Sequence, residues 1–319
     1  MKLYPLTFTP ILKDRIWGGT KLQTVLHKSA VSENVGESWE LSAVSGDVSV
    51  VNNGVAKGKT LTELIEENPT ALLGEEVLSK FGKQFPLLFK FIDAKEDLSI
   101  QVHPNDQLAQ KRHQSFGKTE MWYVLQADAN ARLIVGFEKD SNQAEYLSYL
   151  QANSLSKLLQ QYPVKKGDVF FLETGTIHAI GAGVLIAEIQ QTSDITYRLY
   201  DWDRVDDKGI ARELHTDLAL EAINYKNTQS KIHYDVVKNE SVTVVDSVYF
   251  KTSYLQLSSL YSWTRKTDAF TVFMCVEGNF TLTYEGELFS YVKGQTVLIP
   301  ASLTHFLLDG SATLLEISI

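Results

Sequence analysis

In the stretch LSIQVHPND, Gln101 and His103 stand two residues apart, just ahead of Pro104. Side chains at i and i+2 of an extended strand share a face, so an amide and an imidazole are aimed at one spot. Glu120, in the next hydrophobic segment, and His178, further along, add a carboxylate and a second imidazole from two other strands. Four such side chains can surround an ion. Zn²⁺ takes imidazole nitrogen at ~2.0–2.1 Å and carboxylate oxygen at ~2.0–2.2 Å, and a catalytic site leaves a position open. Two His, one Glu and an amide oxygen form a borderline donor set that suits Zn²⁺, with Fe²⁺, Co²⁺ or Mn²⁺ as substitutes. Taken singly, either histidine is an ordinary strand residue; the convergence of four donors points to a metal centre.

The elements that must position these donors are short strands broken by Gly, Asn and Asp. GDVSVVNNG ends in an Asn-Gly turn signal. MWYVLQADANARLIVGF is two apolar runs joined by a polar turn, and TVFMCVEGNFTLTYEGELFSYVKGQTVLIP is a series of β runs with turn pairs at Glu277-Gly278 and Glu285-Gly286. Three stretches have helical character. One covers about residues 60–82 and opens on a Thr60-x-x-Glu63 capping box. The second covers about 141–162, with Tyr146, Leu147, Leu150, Leu155, Leu158 and Leu159. The third covers about 213–224, with Leu214, Leu218 and Ala222 at i, i+4, i+8.

A repeat organises the β runs. KGDVFFLETGTIHAI holds Gly167 and His178 eleven residues apart, and KGQTVLIPASLTHFL holds Gly294 and His305 at the same spacing, offset by 127 residues. Two copies of one β unit predict a tandem double-stranded β-helix, a double cupin or jelly roll that is mainly β with short helical insertions, each copy enclosing a small cavity. The expected division is a catalytic cupin over residues 1–235, carrying the insertions, and a second cupin over 236–319. Copy two keeps His305 but has no Gln-x-His in YLQLSSLYSW, and the position matching Glu120 falls near Phe270. It is expected to be metal-free.

Composition narrows the function classes. The 319 residues are 44% hydrophobic and 22% charged with a net charge of −9, which is globular and a poor match to nucleic-acid binding. The single cysteine, Cys275, lies among Val272, Phe273 and Val276 and is expected to be a core residue; with no disulfide available, a reducing compartment fits. No apolar run nears the ~20 residues of a membrane span, and the N-terminus lacks a signal-peptide pattern. A cytoplasmic location, no membrane or nucleic-acid partner, and a monomer or weak homodimer are the expectations.

The stretches FKFIDAKEDLSIQVHPND, GKTEMWYVL, TIHAIGAGVLIAEIQQTSDITYRLYDWDR and RIWGG resemble the type I mannose-6-phosphate isomerases in their short bacterial form, over nearly the whole chain. The resemblance implies a double cupin, one Zn²⁺ per chain held by Gln101, His103, Glu120 and His178, and reversible conversion of mannose 6-phosphate to fructose 6-phosphate. It also assigns roles. Arg198, otherwise a surface charge, matches the family's catalytic arginine and would face a developing oxyanion or the phosphate. Asp194, otherwise a turn residue, matches a family acid. Lys118 shares the strand face of Glu120 and becomes a proton-transfer candidate, with a pKa expected to be lowered by desolvation and the metal. Lys90, inside an apolar run, is expected to point into the cavity, because a buried lysine is costly unless paired. Ser99 shares the face of Gln101 and would contact phosphate; Trp17 is packing or site. Many relatives carry His before this lysine, whereas this chain has Gly117. The competing readings are a non-catalytic sugar-binding cupin and a different cupin phosphosugar isomerase or epimerase.

Overall fold

The computed structural model describes residues 1–206 and 208–319. The chain is mainly β, a double cupin with short helices between its strands. The first barrel is two facing sheets. One has seven strands in the order Ile11–Gly19, Val35–Leu41, Leu87–Ala94, Val184–Gln191, Glu120–Ala127, Val169–Leu172 and Lys231–Ile232. The other has five, in the order Tyr197–Tyr200, Ile100–Val102, His178–Ile180, Arg132–Phe137 and Leu159–Pro163. The apolar runs LLFKFIDA and VLIAEIQQ are buried at every position, because these strands lie mid-sheet with cavity or core on one side and packed chain on the other. The two runs of MWYVLQADANARLIVGF do not pair with each other. They enter different sheets, which is how a jelly roll wraps a cavity.

The second barrel is one sheet built on the long strands Thr271–Tyr284 and His305–Ser318, which pair along most of their length. The repeat is real in three dimensions. Gly167 and Gly294 take the same left-handed backbone, φ +90° and +87°, ahead of equivalent strands. The histidines then diverge: His178 is buried, whereas His305 is exposed. Where a second cavity was expected, Trp263 and Phe306 stack at 4.4 Å and Phe273 packs edge-on to both. Glu277-Gly278 is no turn. The strand runs through it with a register shift between Cys275 and Glu277 and φ +73° at Gly278, a bulge. Glu285-Gly286 is the true turn, with both φ positive. Cys275 is fully buried.

The helices are shorter than their sequence patterns. The first insertion is three short helices, Leu61–Glu67, Pro69–Leu73 and Glu75–Phe81, and the Thr60–Glu63 capping box is formed. It packs on the second barrel: the Phe270 N–H donates to the Leu73 carbonyl at 3.1 Å, and the Ala301 N–H to the Leu72 carbonyl. The second insertion is helical at Gln143–Gln151, with a 3₁₀ turn at Leu155–Lys157, but Leu159–Pro163 is a strand. The third is a helix only over Thr216–Leu220. The eight-residue helix Asp106–His113 carries no apolar stripe, burying only Leu108 and Ala109, and its pattern was silent. Among the described residues, no helix is long and apolar enough to cross a membrane.

Candidate metal and substrate site

Register alone brings the site residues into two facing rows. In the five-stranded sheet Arg198 lies opposite Gln101, and Gln101 opposite His178. In the seven-stranded sheet Trp39, Lys90, Glu188 and Trp122 lie opposite one another across four strands, and Glu120 sits two residues before Trp122 on the same face. Residues directly opposite in antiparallel strands share a face. The space between the rows is a cavity of about 520 Å³.

Behind the lining residues Gln101 and Lys118, which contact them, ligand atoms of His103, Glu120 and His178 all lie within 4.8 Å of one another, and all three residues are buried. His103 Nδ1 donates to the Ile195 carbonyl at 2.8 Å and His178 Nδ1 to the Thr176 carbonyl at 2.9 Å. That pairing fixes the tautomer and leaves each Nε2 lone pair turned toward the centre. Nε2 of His178 is 3.4 Å from Glu120 Oε1, and Nε2 of His103 is 3.6 Å from Oε2. Glu120 Oε1 is buried with no hydrogen-bond partner among the described residues. Burial and the nearby Lys118 hold both imidazoles neutral, His178 down to about 4 and His103 well below its ordinary value. Gln101 reaches the same point, its amide 3.3 Å from His178 Nε2. Its N and O are similar in shape, and the turned-over amide would present its oxygen. Two neutral imidazole nitrogens turned toward an orphaned carboxylate oxygen are a donor set that fits a divalent metal.

Beside this cluster Lys118 Nζ contacts Glu120 Oε2, donates to His103 Nε2 at 3.1 Å and lies 3.9 Å from Glu188. Lys90 Nζ donates to Glu188 at 3.1 Å and lies 5.0 Å from the centre of the Trp39 ring. Burial pulls the Lys118 ammonium down, but Glu120, Glu188 and Glu37 outweigh it and its pKa is raised. The expected lowering counted on a bound cation beside burial; of the protein's own groups the carboxylates prevail. Of these carboxylates Glu120 is its sequence neighbour two residues on, whereas Glu188 and Glu37 come from strands distant in sequence; Asp194 is exposed.

The family model for the catalytic domain of type I phosphomannose isomerase matches residues 6–130, and that for the mannose-6-phosphate isomerase cupin domain matches 240–319. The mannose-6-phosphate isomerase ManA of Bacillus subtilis is 36% identical, with 98% of each chain covered. That of Streptococcus mutans is 35% identical over 96% of this chain and 95% of the relative. The crystal structure of the mannose 6-phosphate isomerase from Bacillus subtilis superposes with a TM-score of 0.90 at 35% identity, covering 99% of this chain and all of that one. The chain belongs to the type I phosphomannose isomerase family. It is an aldose–ketose isomerase.

In this family member the remaining sequence-derived residues reach the same cavity. Ser99 and Trp17 are buried and line it, as do Lys90, Arg198 and Asp194. Asp194 stands at the exposed rim, and its neighbour Ile195 supplies the carbonyl that orients His103. Arg198 donates from Nη1 to the Glu213 carbonyl, its backbone N–H donates to His215 Nδ1, and its buried Nε has no partner among the described residues. The sequence reading missed Arg15, Glu37, Trp39, Glu188 and Arg212, all of which line the cavity. Glu188 carried a signal, being a carboxylate inside a fully apolar run like Lys90. Arg15 carried none. It is re-aimed because Arg15–Gly18 loops out of the ladder, Asp14 and Gly19 both pairing with Val35. A Cβ on Gly36 would come within 2.7 Å of Arg15 Cβ, so only glycine lets the loop cross there. Glu37 grips Arg15 through both Nε and Nη2, at 3.2 and 3.1 Å.

Proposed function

We propose that this chain interconverts D-mannose 6-phosphate and D-fructose 6-phosphate, using one Zn²⁺ held by Gln101, His103, Glu120 and His178. The observation that carries the metal is the pair of oriented Nε2 lone pairs beside the unpartnered Glu120 Oε1. When bound, the ion supplies Lewis acidity toward the sugar's C1 and C2 oxygens. The rest falls to the chain's own side chains.

The reaction takes a proton from C2 of the aldose and returns one to C1, through a cis-enediol. Lys118 Nζ is the proton-carrying group we assign to this exchange; contacts to Glu120 and Glu188 give it partners with which to share protons. Arg198, with a buried and unpartnered Nε, neutralises the charge that develops on the substrate. Asp194 at the rim is the second acid–base candidate. Lys90, Ser99 and Trp17 hold the sugar phosphate; burial keeps Trp17 and Ser99 from competing water. Residues 1–235 form the catalytic cupin and 236–319 a metal-free cupin, in a chain suited to a reducing, cytoplasmic setting.

The test is a coupled assay for fructose 6-phosphate formed from mannose 6-phosphate, before and after chelation, with Zn²⁺, Co²⁺ or Mn²⁺ added back. Turnover that stops with chelator and returns with metal is expected. Chelator-resistant turnover would sink the metal assignment, and no turnover of mannose 6-phosphate with any metal would sink the substrate.

A further inference from the structure

We infer that Tyr249 of the C-terminal barrel, acting through Asp106, is a positioning residue for Lys118 and Glu120 in the reaction proposed above. The ladder between Glu120–Ala127 and Val184–Gln191 ends at Glu120 opposite Gln190. Gly117, Lys118 and Thr119 lie beyond it and are held by other means. The Gln191 backbone N–H donates to the Thr119 carbonyl at 3.1 Å. The Thr119 N–H donates to the Gln191 side-chain oxygen at 2.9 Å, and the Gly117 N–H donates to Asp106 Oδ1 at 2.7 Å. The Gln191 amide nitrogen then donates to that same Asp106 oxygen at 3.0 Å. Both side-chain acceptors flanking Lys118 are thus tied to one carboxylate.

The carboxylate's other oxygen accepts from the Tyr249 hydroxyl at 2.8 Å. Tyr249 belongs to a stiff turn in which Ser247 Oγ donates to the Phe250 carbonyl and accepts from the Phe250 N–H, and buried Phe250 packs edge-on to Phe171. Burial, and then Asp106, push the phenol up to about 12, so it is a donor at neutral pH. Gly117 belongs to the same device. A Cβ there would lie 2.7 Å from Asp106 N and 2.9 Å from Asn105 C, so the segment rests directly on the start of the Asp106–His113 helix. The metal-free barrel therefore contributes one hydroxyl to the geometry of the other barrel's site. A catalytic group displaced by about 1 Å loses on the order of 10²-fold in rate, which makes such a brace worth keeping.

The experiment compares the metal-loaded full chain with Tyr249→Phe, Asp106→Ala and Asp106→Asn. Tyr249→Phe is expected to lower kcat by about 3–10-fold and Asp106→Ala by about 10–100-fold, with KM within about twofold in both. Asp106→Asn keeps an acceptor for Gly117 and Gln191 and recovers most of kcat. Amide hydrogen exchange of the peptide covering residues 115–120 should quicken in Tyr249→Phe and Asp106→Ala, at an unchanged melting temperature for Tyr249→Phe, and return toward wild type in Asp106→Asn. Unaltered exchange and kcat in Tyr249→Phe would overturn the inference, as would a change confined to KM. If Asp106→Ala fails to fold, the other two variants still decide. If wild type does not turn over mannose 6-phosphate, the substrate reading fails, while exchange still reports whether Tyr249 braces the segment.

Discussion

Lys118 Nζ stands 3.1 Å from Nε2 of His103, the nitrogen whose lone pair faces the centre of the donor cluster. One lone pair cannot serve both an ammonium N–H and a metal ion. Loading the centre therefore frees Lys118 from His103 and leaves it with Glu120 and Glu188 as neighbours. Replacing Lys118 with Met should leave metal binding intact and lower kcat by about 10²–10⁴, the usual scale for a lost acid–base group. Deuterium incorporation from D₂O into C1/C2 of the recovered sugar phosphate measures the step directly. If wild type exchanges and the variant keeps pace with it, Lys118 is not the proton carrier and Asp194 is next.

Metal content separates the two barrels. Wild type should carry one equivalent of divalent metal per chain by elemental analysis, and the His103→Ala/His178→Ala double variant should carry none. His305→Ala should stay at one equivalent, because His305 is exposed and its side chain, among the described residues, hydrogen-bonds only with Thr264, at 3.4 Å.

Arg198→Lys keeps a cation but loses the planar fork and the Nε donor. The expected fall in kcat is about 10²–10³, the loss typical of removing one preorganised donor. Metal stoichiometry should not move. A wild-type kcat would show that the guanidinium serves only its contacts with Glu213 and the loop.

Asp201 gives a pH prediction away from the metal ligands. Burial alone would raise its pKa, but Arg212 and Arg204, which both donate to it, lower it below the ordinary carboxylate value. A depressed folded pKa means stabilisation that is complete above the unfolded pKa, near 3.9, and lost as pH falls through the folded value. Asp201→Asn should cost about 1–3 kcal/mol at pH 7. The melting temperatures of variant and wild type should converge as pH drops below the carboxylate range. A difference that persists unchanged in acid would place the effect outside this ion pair.

The parts of the site legible in the sequence were those set by local geometry. Gln101 and His103 sit two apart on one strand, and the Gly-to-His interval of eleven recurs in both copies. What depended on pairing between distant strands was not legible. Trp39 faces Lys90, and Lys90 faces Glu188, only because three strands far apart in sequence align in one register. The misread segment at 159–163 had a physical cause: Leu155, Leu158 and Leu159 fit a helical stripe, and only pairing with Arg132–Phe137 makes the last of them a strand residue. The Asp106–His113 helix announced itself solely through Asn105, whose side chain caps it at Leu108 N.

The loop-out of Arg15–Gly18 has a consequence beyond aiming Arg15. Ile11–Gly19 is the outermost strand of the seven-stranded sheet, and an unbroken edge strand is a template on which another chain can add its own strand. Here the ladder breaks off after Asp14 and resumes only at Gly19. The outer row of amides and carbonyls is interrupted where an incoming strand would need it continuous. The same loop-out that sets Arg15, Ile16 and Trp17 in the cavity wall thus blunts the sheet against edge-to-edge aggregation.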